Sequence, residues 1–228
     1  MIQMREVSKT YDTGVVALNH VNVDIKRGEF VFVVGPSGAG KSTFIKMLFR
    51  EELPTEGKLL VNGHDVVHME RSEVPYLRRE LGVIFQDYRL LPDKTVFENV
   101  AFALQVIEAP RRTMQRSVNS VLDVVGLRDK YRSFPSQLSG GEQQRVAIAR
   151  AIVNNPSIVI ADEPTGNLDP ETSWDIMDIF RRINKAGTTI VMATHDRNIV
   201  DTMKRRVIAI EDGRIVRDQQ RGGYGYEA

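Results

Sequence analysis

The stretch FVFVVGPSGAGKSTFIKML (30–48) decides the fold, because a continuous apolar run leads into a glycine-rich turn and then into a helical pattern. Its turn matches G-x-x-x-x-G-K-[ST], with Lys41 and Ser42 in the last two positions. In such a strand–turn–helix, backbone N–H groups cradle phosphate oxygens, the lysine reaches the β- and γ-phosphates of ATP, and the serine hydroxyl binds Mg²⁺. The predicted phosphate-binding residues are Gly35, Pro36, Ser37, Gly38, Ala39, Gly40, Lys41, Ser42 and Thr43.

A second apolar run, IVIAD, ends in the adjacent acids Asp162 and Glu163. Neighbouring carboxylates at the end of a buried strand repel each other, so a purely structural role would not explain why both are present. We predict that Asp162 holds Mg²⁺ through water and that Glu163 acts as the base for an attacking water. A water nucleophile implies hydrolysis of ATP to ADP and phosphate rather than transfer to a second substrate. A P-loop kinase is therefore the less favoured alternative.

The stretch LSGGEQQRVAIAR (138–150) is a second glycine-rich turn that runs into a helix. Ser139 and Glu142 form a capping box, which explains half of it. Gly140 and Gly141 each cost about 0.5–1 kcal/mol in an early helical turn relative to Ala, so we expect another group to approach their backbone closely. A helix N-terminus attracts anions. The helix N-terminus at Ser139 lies on a different face of the domain from Lys41, so it could reach the ATP of a second copy. This predicts a homodimer on ATP binding.

Residues 90–155 read mainly as helices, with a capping box at Thr95 and Glu98 and a helix stop at Gly126. The N-terminal part reads as strands, and strands alternate with helices after residue 155, which is typical of a parallel sheet. We therefore predict an α/β P-loop NTPase with a mostly parallel core sheet, an N-terminal antiparallel β subdomain and an inserted α-helical subdomain. The expected division of this single domain is 1–87 and 156–218 for the nucleotide-binding core, 88–155 for the helical subdomain, and 219–228 for a flexible tail.

The composition excludes several classes of function. The 228 residues include no cysteine, so disulfides, cysteine-ligated metals and thiol catalysis are excluded. The 31 basic and 30 acidic residues give a net charge of +1, which provides no long-range attraction to nucleic acid. The N-terminus is too polar for a signal peptide, and no apolar run approaches the roughly 20 residues of a spanning helix. We expect a soluble, cytoplasmic protein.

LSGGEQQR is similar to the signature sequence of the ABC (ATP-binding cassette) ATPases, and further motifs of that family follow in order along the whole chain. The resemblance implies that Tyr11 stacks on adenine, that Gln86 contacts Mg²⁺ and the γ-phosphate, and that His195 contacts the γ-phosphate. It also implies that GNLD (166–169) crosses a dimer seam. Taken singly, a Tyr11 or a His195 more often has a structural role, and a lone Gln86 indicates neither role. The implied catalytic residues are Glu163, His195, Lys41 and Gln86; the implied metal ligands are Ser42, Gln86 and Asp162; and Ser139, Gly140, Gly141 and Glu142 act on the partner subunit's ATP.

ADEPTGNLD (161–169) resembles the MacB/LolD/FtsE subgroup of this family, and several other stretches are most similar to its cell-division branch. That resemblance implies a separate integral membrane partner of the FtsX type, a peripheral position on the inner face of the cell membrane, and control of peptidoglycan hydrolysis. The alternative is energising lipoprotein release or export. An ABC protein of DNA repair or translation and a scaffold gated by ATP stay open as rivals. We expect the partner to dock beside Gln86, where Tyr88 and Phe97 fit either exposed aromatics of the docking surface or core residues.

Overall fold

The computed structural model describes residues 1–225. The strands in this range are β1 (Ile2–Thr10), β2 (Val16–Ile25), β3 (Phe30–Val34), β4 (Glu56–Val61), β5 (His64–Asp65), β6 (Leu81–Ile84), β7 (Ile158–Asp162), β8 (Thr189–Ala193), β9 (Arg206–Glu211) and β10 (Arg214–Gln219). The α-helices are α1 (Lys41–Leu48), α2 (Val74–Arg79), α3 (Val96–Gln105), α4 (Arg111–Val125), α5 (Gly140–Ile152), α6 (Pro170–Lys185) and α7 (Arg197–Met203).

The core is a six-stranded sheet in the order β10-β9-β3-β8-β7-β6. The pairs from β9 to β6 are parallel, and β10 closes one edge as the antiparallel arm of a hairpin. The register places Ile84 beside Ala161 and Asp162 beside Ala193. The carboxyl ends of β3, β6, β7 and β8 therefore lie along one edge of the sheet, where ligands of open α/β sheets bind.

Both faces of the core sheet are covered, which explains why its strands are continuous apolar runs. Along β3, Val31 and Val33 face one hydrophobic cluster and Phe32 faces the other. The Val31 side is covered by α1 and by an antiparallel sheet in the order β2-β1-β4-β5. The other side is covered by helices α3 to α7. This arrangement confirms the predicted fold class.

The three helices α3, α4 and α5 pack on one another between β6 and β7 in the chain. α3 begins at the predicted capping box, in which Glu98 N–H donates to Thr95 Oγ1 and Thr95 N–H donates to Glu98 Oε2. α4 ends at Gly126, whose φ of 70° suits a glycine C-cap. The apolar faces of these helices belong to the same cluster as Phe32 of the core sheet. The predicted subdomain limits of 88–155 stay a prediction.

The chain after β10 returns to the body of the domain. The Arg217 guanidinium donates to the carbonyls of Gly223 at 2.8 Å and Tyr224 at 2.9 Å, and Tyr224 N–H donates to Asp201 Oδ1 at 2.6 Å. The flexible tail that the sequence predicts for 219–228 stays a prediction, and its residues 226–228 lie outside the described residues. Within the described part of the chain, none of the helices has the length and apolar character needed to cross a membrane.

Candidate active site

The turn of residues 35–40 owes its shape to glycines that the surrounding backbone requires. Gly35 has a φ of 148°, and a Cβ there would lie 2.1 Å from the Ile210 carbonyl oxygen. Gly40 has a φ of 107°, and its Cβ would lie 2.2 Å from the Ala17 carbonyl oxygen. Any side chain at either position would force the backbone apart. Gly38, at a φ of 77°, has open space around it instead, so the turn is open on that side.

α1 begins directly after this turn, and Gly40 has no side chain with which to cap it. The first N–H groups of α1 are therefore uncapped at the turn, where the positive end of the helix dipole also lies. Both features favour the binding of an anion. The Lys41 ammonium donates to the carbonyls of Gly35 at 2.8 Å and Pro36 at 2.9 Å, so the cation is folded back over the turn. Ser42 is exposed beside it. The geometry fits the phosphate groups of a nucleotide.

Asp162 ends β7 next to Ser42 and carries an unfavourable charge. Burial raises the pKa of the Asp162 carboxyl, and the neighbouring charge of Glu163 raises it further. The hydrogen bond from Ser42 and the charges of Lys41 and Lys46 act in the opposite direction. A half-buried carboxylate beside a hydroxyl gains from a bound cation, and these two oxygen groups are ligands that Mg²⁺ accepts. The residues present fit the ion that the sequence predicts.

Glu163 and His195 are brought together by the ends of β7 and β8. His195 Nδ1 lies 2.8 Å from Glu163 Oε2, and the backbone N–H of His195 donates to the same oxygen at 3.3 Å. Glu163 has a left-handed φ of 49°, held by its own N–H, which donates to the Ala193 carbonyl. The Glu163 side chain is 16% exposed and that of His195 is 65% exposed. A carboxylate is thus fixed at the mouth of the site with an accessible imidazole attached to it.

Gln86 follows β6 and is paired with the loop after Glu163. Its Nε2 donates to Asn167 Oδ1 at 3.3 Å, and Asn167 Nδ2 donates back to the Gln86 carbonyl at 3.4 Å. A Cβ on Gly166 would lie 3.1 Å from Gln86 Nε2, so the glycine leaves room for this contact. The structure therefore places Gln86 at the same sheet edge as Asp162. The sequence around Gln86 does not reveal that Asn167 is its hydrogen-bond partner.

Tyr11 lies beside α1, near the end of the phosphate-binding turn. Its hydroxyl is 3.1 Å from Thr43 Oγ1, and the Lys9 ammonium lies 4.9 Å from its ring centroid. The predicted adenine platform is therefore adjacent to the predicted phosphate loop, with a ring that can accept a stacking partner.

The stretch from Ser139 to Glu142 caps α5 as the sequence predicts. Glu142 N–H donates to Ser139 Oγ at 3.2 Å, and Ser139 N–H donates to Glu142 Oε2 at 2.8 Å. The glycines, however, have neighbours in their own chain. A Cβ on Gly141 would lie 2.4 Å from Thr172 Cγ2, and one on Gly140 would lie 3.1 Å from the Tyr88 hydroxyl. The expected close approach to Gly141 therefore comes from α6, so this glycine is not by itself a sign of a second molecule.

Tyr88 and Phe97, the two aromatic residues considered for a partner-binding surface, are not exposed. Tyr88 is half-buried, and burial raises the pKa of its phenol. Phe97 is also half-buried and packs against the main hydrophobic cluster. Both are better described as packing residues. The exposed apolar residues of the helical region include Phe102, Val106, Ile107, Tyr131 and Phe134.

Comparison with known proteins identifies the family. The model of the ABC transporter family matches residues 18–166. This chain belongs to the ABC transporter family. The ABC ATPase class that the sequence predicts is thereby confirmed.

Similar ABC proteins cover the whole chain. The Cell division ATP-binding protein FtsE of Bacillus subtilis (strain 168) is 63% identical over 225 residues, with 99% of each chain covered. The protein of the same name from Escherichia coli (strain K12) is 47% identical over 227 residues, with 100% of each covered. A solved dimeric ATP-binding cassette in a post-hydrolysis state, bound to ADP and Pi, has a TM-score of 0.87 and 37% identity, covering 98% of this chain and 100% of its own. These relatives confirm the predicted resemblance to the cell-division branch.

Proposed function

We propose that the chain binds ATP·Mg²⁺ at the edge formed by β3, β6, β7 and β8 and hydrolyses the ATP. The observation that carries this proposal is the Glu163–His195 contact of 2.8 Å at the mouth of a phosphate-binding turn. In the proposed ATP complex, Tyr11 stacks on adenine, residues 35–43 hold the phosphates, and Lys41 neutralises the β- and γ-phosphates.

Ser42, Asp162 and Gln86 would hold Mg²⁺, with Asp162 acting through water. The bound ion would supply positive charge to the β- and γ-phosphate oxygens. The raised pKa of Asp162 is consistent with this role, because a cation offsets both its burial and the neighbouring charge of Glu163. Gln86 Nε2 donates to Asn167, which leaves Gln86 Oε1 as the atom that would bind the ion.

Glu163 would accept a proton from the attacking water, and His195 would hold both the carboxylate and the γ-phosphate. The carboxylate of Glu163 is little exposed, accepts a hydrogen bond from the His195 N–H and contacts the His195 imidazole at 2.8 Å, so its orientation is fixed before ATP binds. A general base gains its effect from such fixed placement within hydrogen-bond reach of the water.

Residues 139–142 would act on the ATP of a second copy. Ser139 is exposed at the N-terminus of α5, and its backbone and side chain are already arranged as a helix cap that presents N–H groups outward. The dimeric state named for the solved cassette supports this arrangement. ATP binding would then join two subunits, and hydrolysis would release them.

We further propose that this ATPase drives a separate integral membrane protein of the FtsX type in bacterial cell division, and so controls peptidoglycan hydrolysis from a peripheral position on the inner face of the membrane. The support is the name shared by relatives at 47–63% identity along the entire chain. These names favour division over lipoprotein release or export.

The test is to co-express the chain with its candidate membrane partner and purify the assembly in detergent. We expect the two to co-purify and ATP turnover to depend on Glu163. A Glu163→Gln chain that complexes normally but cannot support division in cells would establish that hydrolysis drives the process. Recovery of a lipoprotein-release or export protein instead, with no FtsX-type protein bound, would refute the cell-division role.

A further inference from the structure

Arg150 links the helix of the signature loop to the turn that follows Gln86. It lies near the C-terminal end of α5, with its guanidinium turned toward that turn. Nη1 donates to the Arg89 carbonyl at 2.7 Å, and Nη2 donates to the Tyr88 carbonyl at 2.8 Å. Burial lowers the pKa of this guanidinium, so its position is unfavourable apart from the hydrogen bonds that it makes. A half-buried arginine whose guanidinium donates to two consecutive carbonyls fixes the backbone that carries them.

The backbone held by Arg150 is strained. Tyr88 and Arg89 have φ values of 58° and 48°, so two consecutive residues with side chains adopt the left-handed conformation. Residues other than glycine enter this region at an energetic cost and remain there only when their surroundings hold them. The Arg89 N–H donates to the Asp87 carbonyl at 2.6 Å, which closes the turn locally. The two bonds from Arg150 hold it from outside.

Tyr88 contacts α5 at both ends of the residue. Its carbonyl accepts from Arg150, and its hydroxyl lies where a Cβ on Gly140 would be only 3.1 Å away. With a helical rise of 1.5 Å per residue, Gly140 and Arg150 are about 15 Å apart along α5. The Arg150 side chain reaches the Tyr88 carbonyl and the Tyr88 ring reaches Gly140, so the two side chains together connect the C-terminal part of α5 to the signature loop. A shift of the turn after Gln86 has to move the Tyr88 side chain along the helix.

We propose that Arg150 is a positioning residue for ATP hydrolysis, which holds the Tyr88–Arg89 turn against α5 so that a movement of Gln86 reaches the signature loop of the same subunit. The inference rests on the proposed roles of Gln86 and of residues 139–142. Without Arg150 the strained turn relaxes. A movement of Gln86 then changes the conformation of the loop and no longer shifts α5. Nucleotide binding itself uses residues that Arg150 does not contact.

The first test is Arg150→Met, which keeps a long side chain and removes the donors. In the full chain we expect kcat to fall about 10- to 100-fold, as for other small misplacements of catalytic groups. The affinity for ATP should stay within about twofold of wild type. Amide hydrogen exchange at residues 87–90 should become faster. Arg182→Met is the matched control, because Arg182 donates to the Val124 carbonyl at 3.1 Å and leaves the turn untouched, so its kcat should be normal.

A rescue separates positioning from a loss of stability. Glycine adopts the left-handed conformation without strain, so Arg89→Gly in the Arg150→Met background should keep the turn in place and recover most of the kcat. The single variant Arg89→Gly serves as its control. A normal kcat in Arg150→Met would overturn the inference. So would a loss of kcat that follows the loss in melting temperature and is not recovered by Arg89→Gly.

The variant Gln86→Ala distinguishes this inference from the proposed function. If Gln86→Ala is impaired and Arg150→Met is normal, only the role of Arg150 is wrong. If Gln86→Ala hydrolyses ATP normally, the proposed role of Gln86 is wrong, and the inference fails with it.

Discussion

His195 Nδ1 lies 2.8 Å from Glu163 Oε2, and the backbone N–H of His195 donates to the same oxygen. The two residues come from different strands, and Glu163 is held in a left-handed conformation at the end of β7. Backbone strain of this kind persists where the surroundings fix it, and it is frequent at active sites. The contact therefore fixes the orientation of the carboxylate that we propose activates water.

Replacing Glu163 by Gln should stop hydrolysis without preventing ATP binding. The amide keeps the size of the side chain but cannot accept a proton, so we expect turnover to fall about 10²- to 10⁴-fold. Because ATP then stays bound, the variant should accumulate as a dimer on gel filtration with ATP·Mg²⁺. Glu56→Gln, at an exposed position of β4, is the control. A variant that remains monomeric at every ATP concentration would contradict the shared-site model.

Asp162→Asn should stabilise the nucleotide-free protein while abolishing turnover. The raised pKa means that the folded state binds the proton more tightly than the unfolded state does, so the ionised carboxylate lowers stability above the folded pKa. We expect a melting temperature above that of the wild type at pH 8. The gain should shrink as the pH falls, and it should vanish below the unfolded value of 3.8.

Asp169 provides a control of opposite sign for this pH dependence. Hydrogen bonds from Thr172 lower the pKa of the Asp169 carboxyl at the N-terminus of α6. Its contribution to stability is present above the unfolded pKa and is lost as the pH falls through the folded pKa. Asp169→Asn should therefore lower the melting temperature slightly at pH 8. Asp162→Asn melting at or below the wild-type temperature at pH 8 would show that the carboxylate is not strained.

Much of the site could be predicted from the sequence because parallel strands place their carboxyl ends at one edge. Once 30–34 and 158–162 read as buried strands, Lys41, Asp162 and Glu163 had to lie close together. Local signals were also sufficient for the helix caps at Thr95 and Ser139, since a capping box involves residues only three apart.

The remaining features depend on contacts between distant parts of the chain. Thr172 faces Gly141 from α6, Arg150 reaches the turn after Gln86, and Arg217 holds Gly223 and Tyr224. No local periodicity encodes such pairs, because each requires the relative position of two elements. This is why the sequence leaves Tyr88 open between the surface and the core, and why it attributes the close approach at Gly141 to another molecule.

Gly141→Ala should destabilise the fold through Thr172. An alanine in a helix interior normally stabilises it relative to glycine, but here its Cβ would lie 2.4 Å from Thr172 Cγ2. We expect a loss of about 1–3 kcal/mol in the free energy of unfolding, measured with urea. Thr172→Ser removes the offending methyl group, so the double variant should recover most of the loss. Equal stability of Gly141→Ala and wild type would show that α5 and α6 can separate at no cost.

Ser139→Asp tests the signature loop without removing the helix cap. Aspartate caps helices as well as serine does, so α5 should remain stable. The added negative charge would repel the partner subunit's γ-phosphate, and we expect turnover to fall by at least about tenfold, equivalent to ~1.4 kcal/mol. Thr95→Asp makes the same change in the capping box of α3 and should hydrolyse ATP normally. Normal turnover in Ser139→Asp would show that this loop does not face a phosphate.

Mixing two defective subunits decides whether the site is shared. In a heterodimer of Ser139→Asp and Lys41→Ala chains, one site combines an intact Lys41 with an intact Ser139 of the other subunit, and the second site contains both defects. Each defective homodimer should be nearly inactive. In the mixture, each heterodimer has one intact site, so its turnover should rise to at most the turnover of one wild-type site. The measurement is ATP turnover against mixing ratio, with a maximum expected near equal amounts. If each site were built within a single subunit, every site in the mixture would carry a defect. Activity would then stay at the level of the two inactive parents at all ratios.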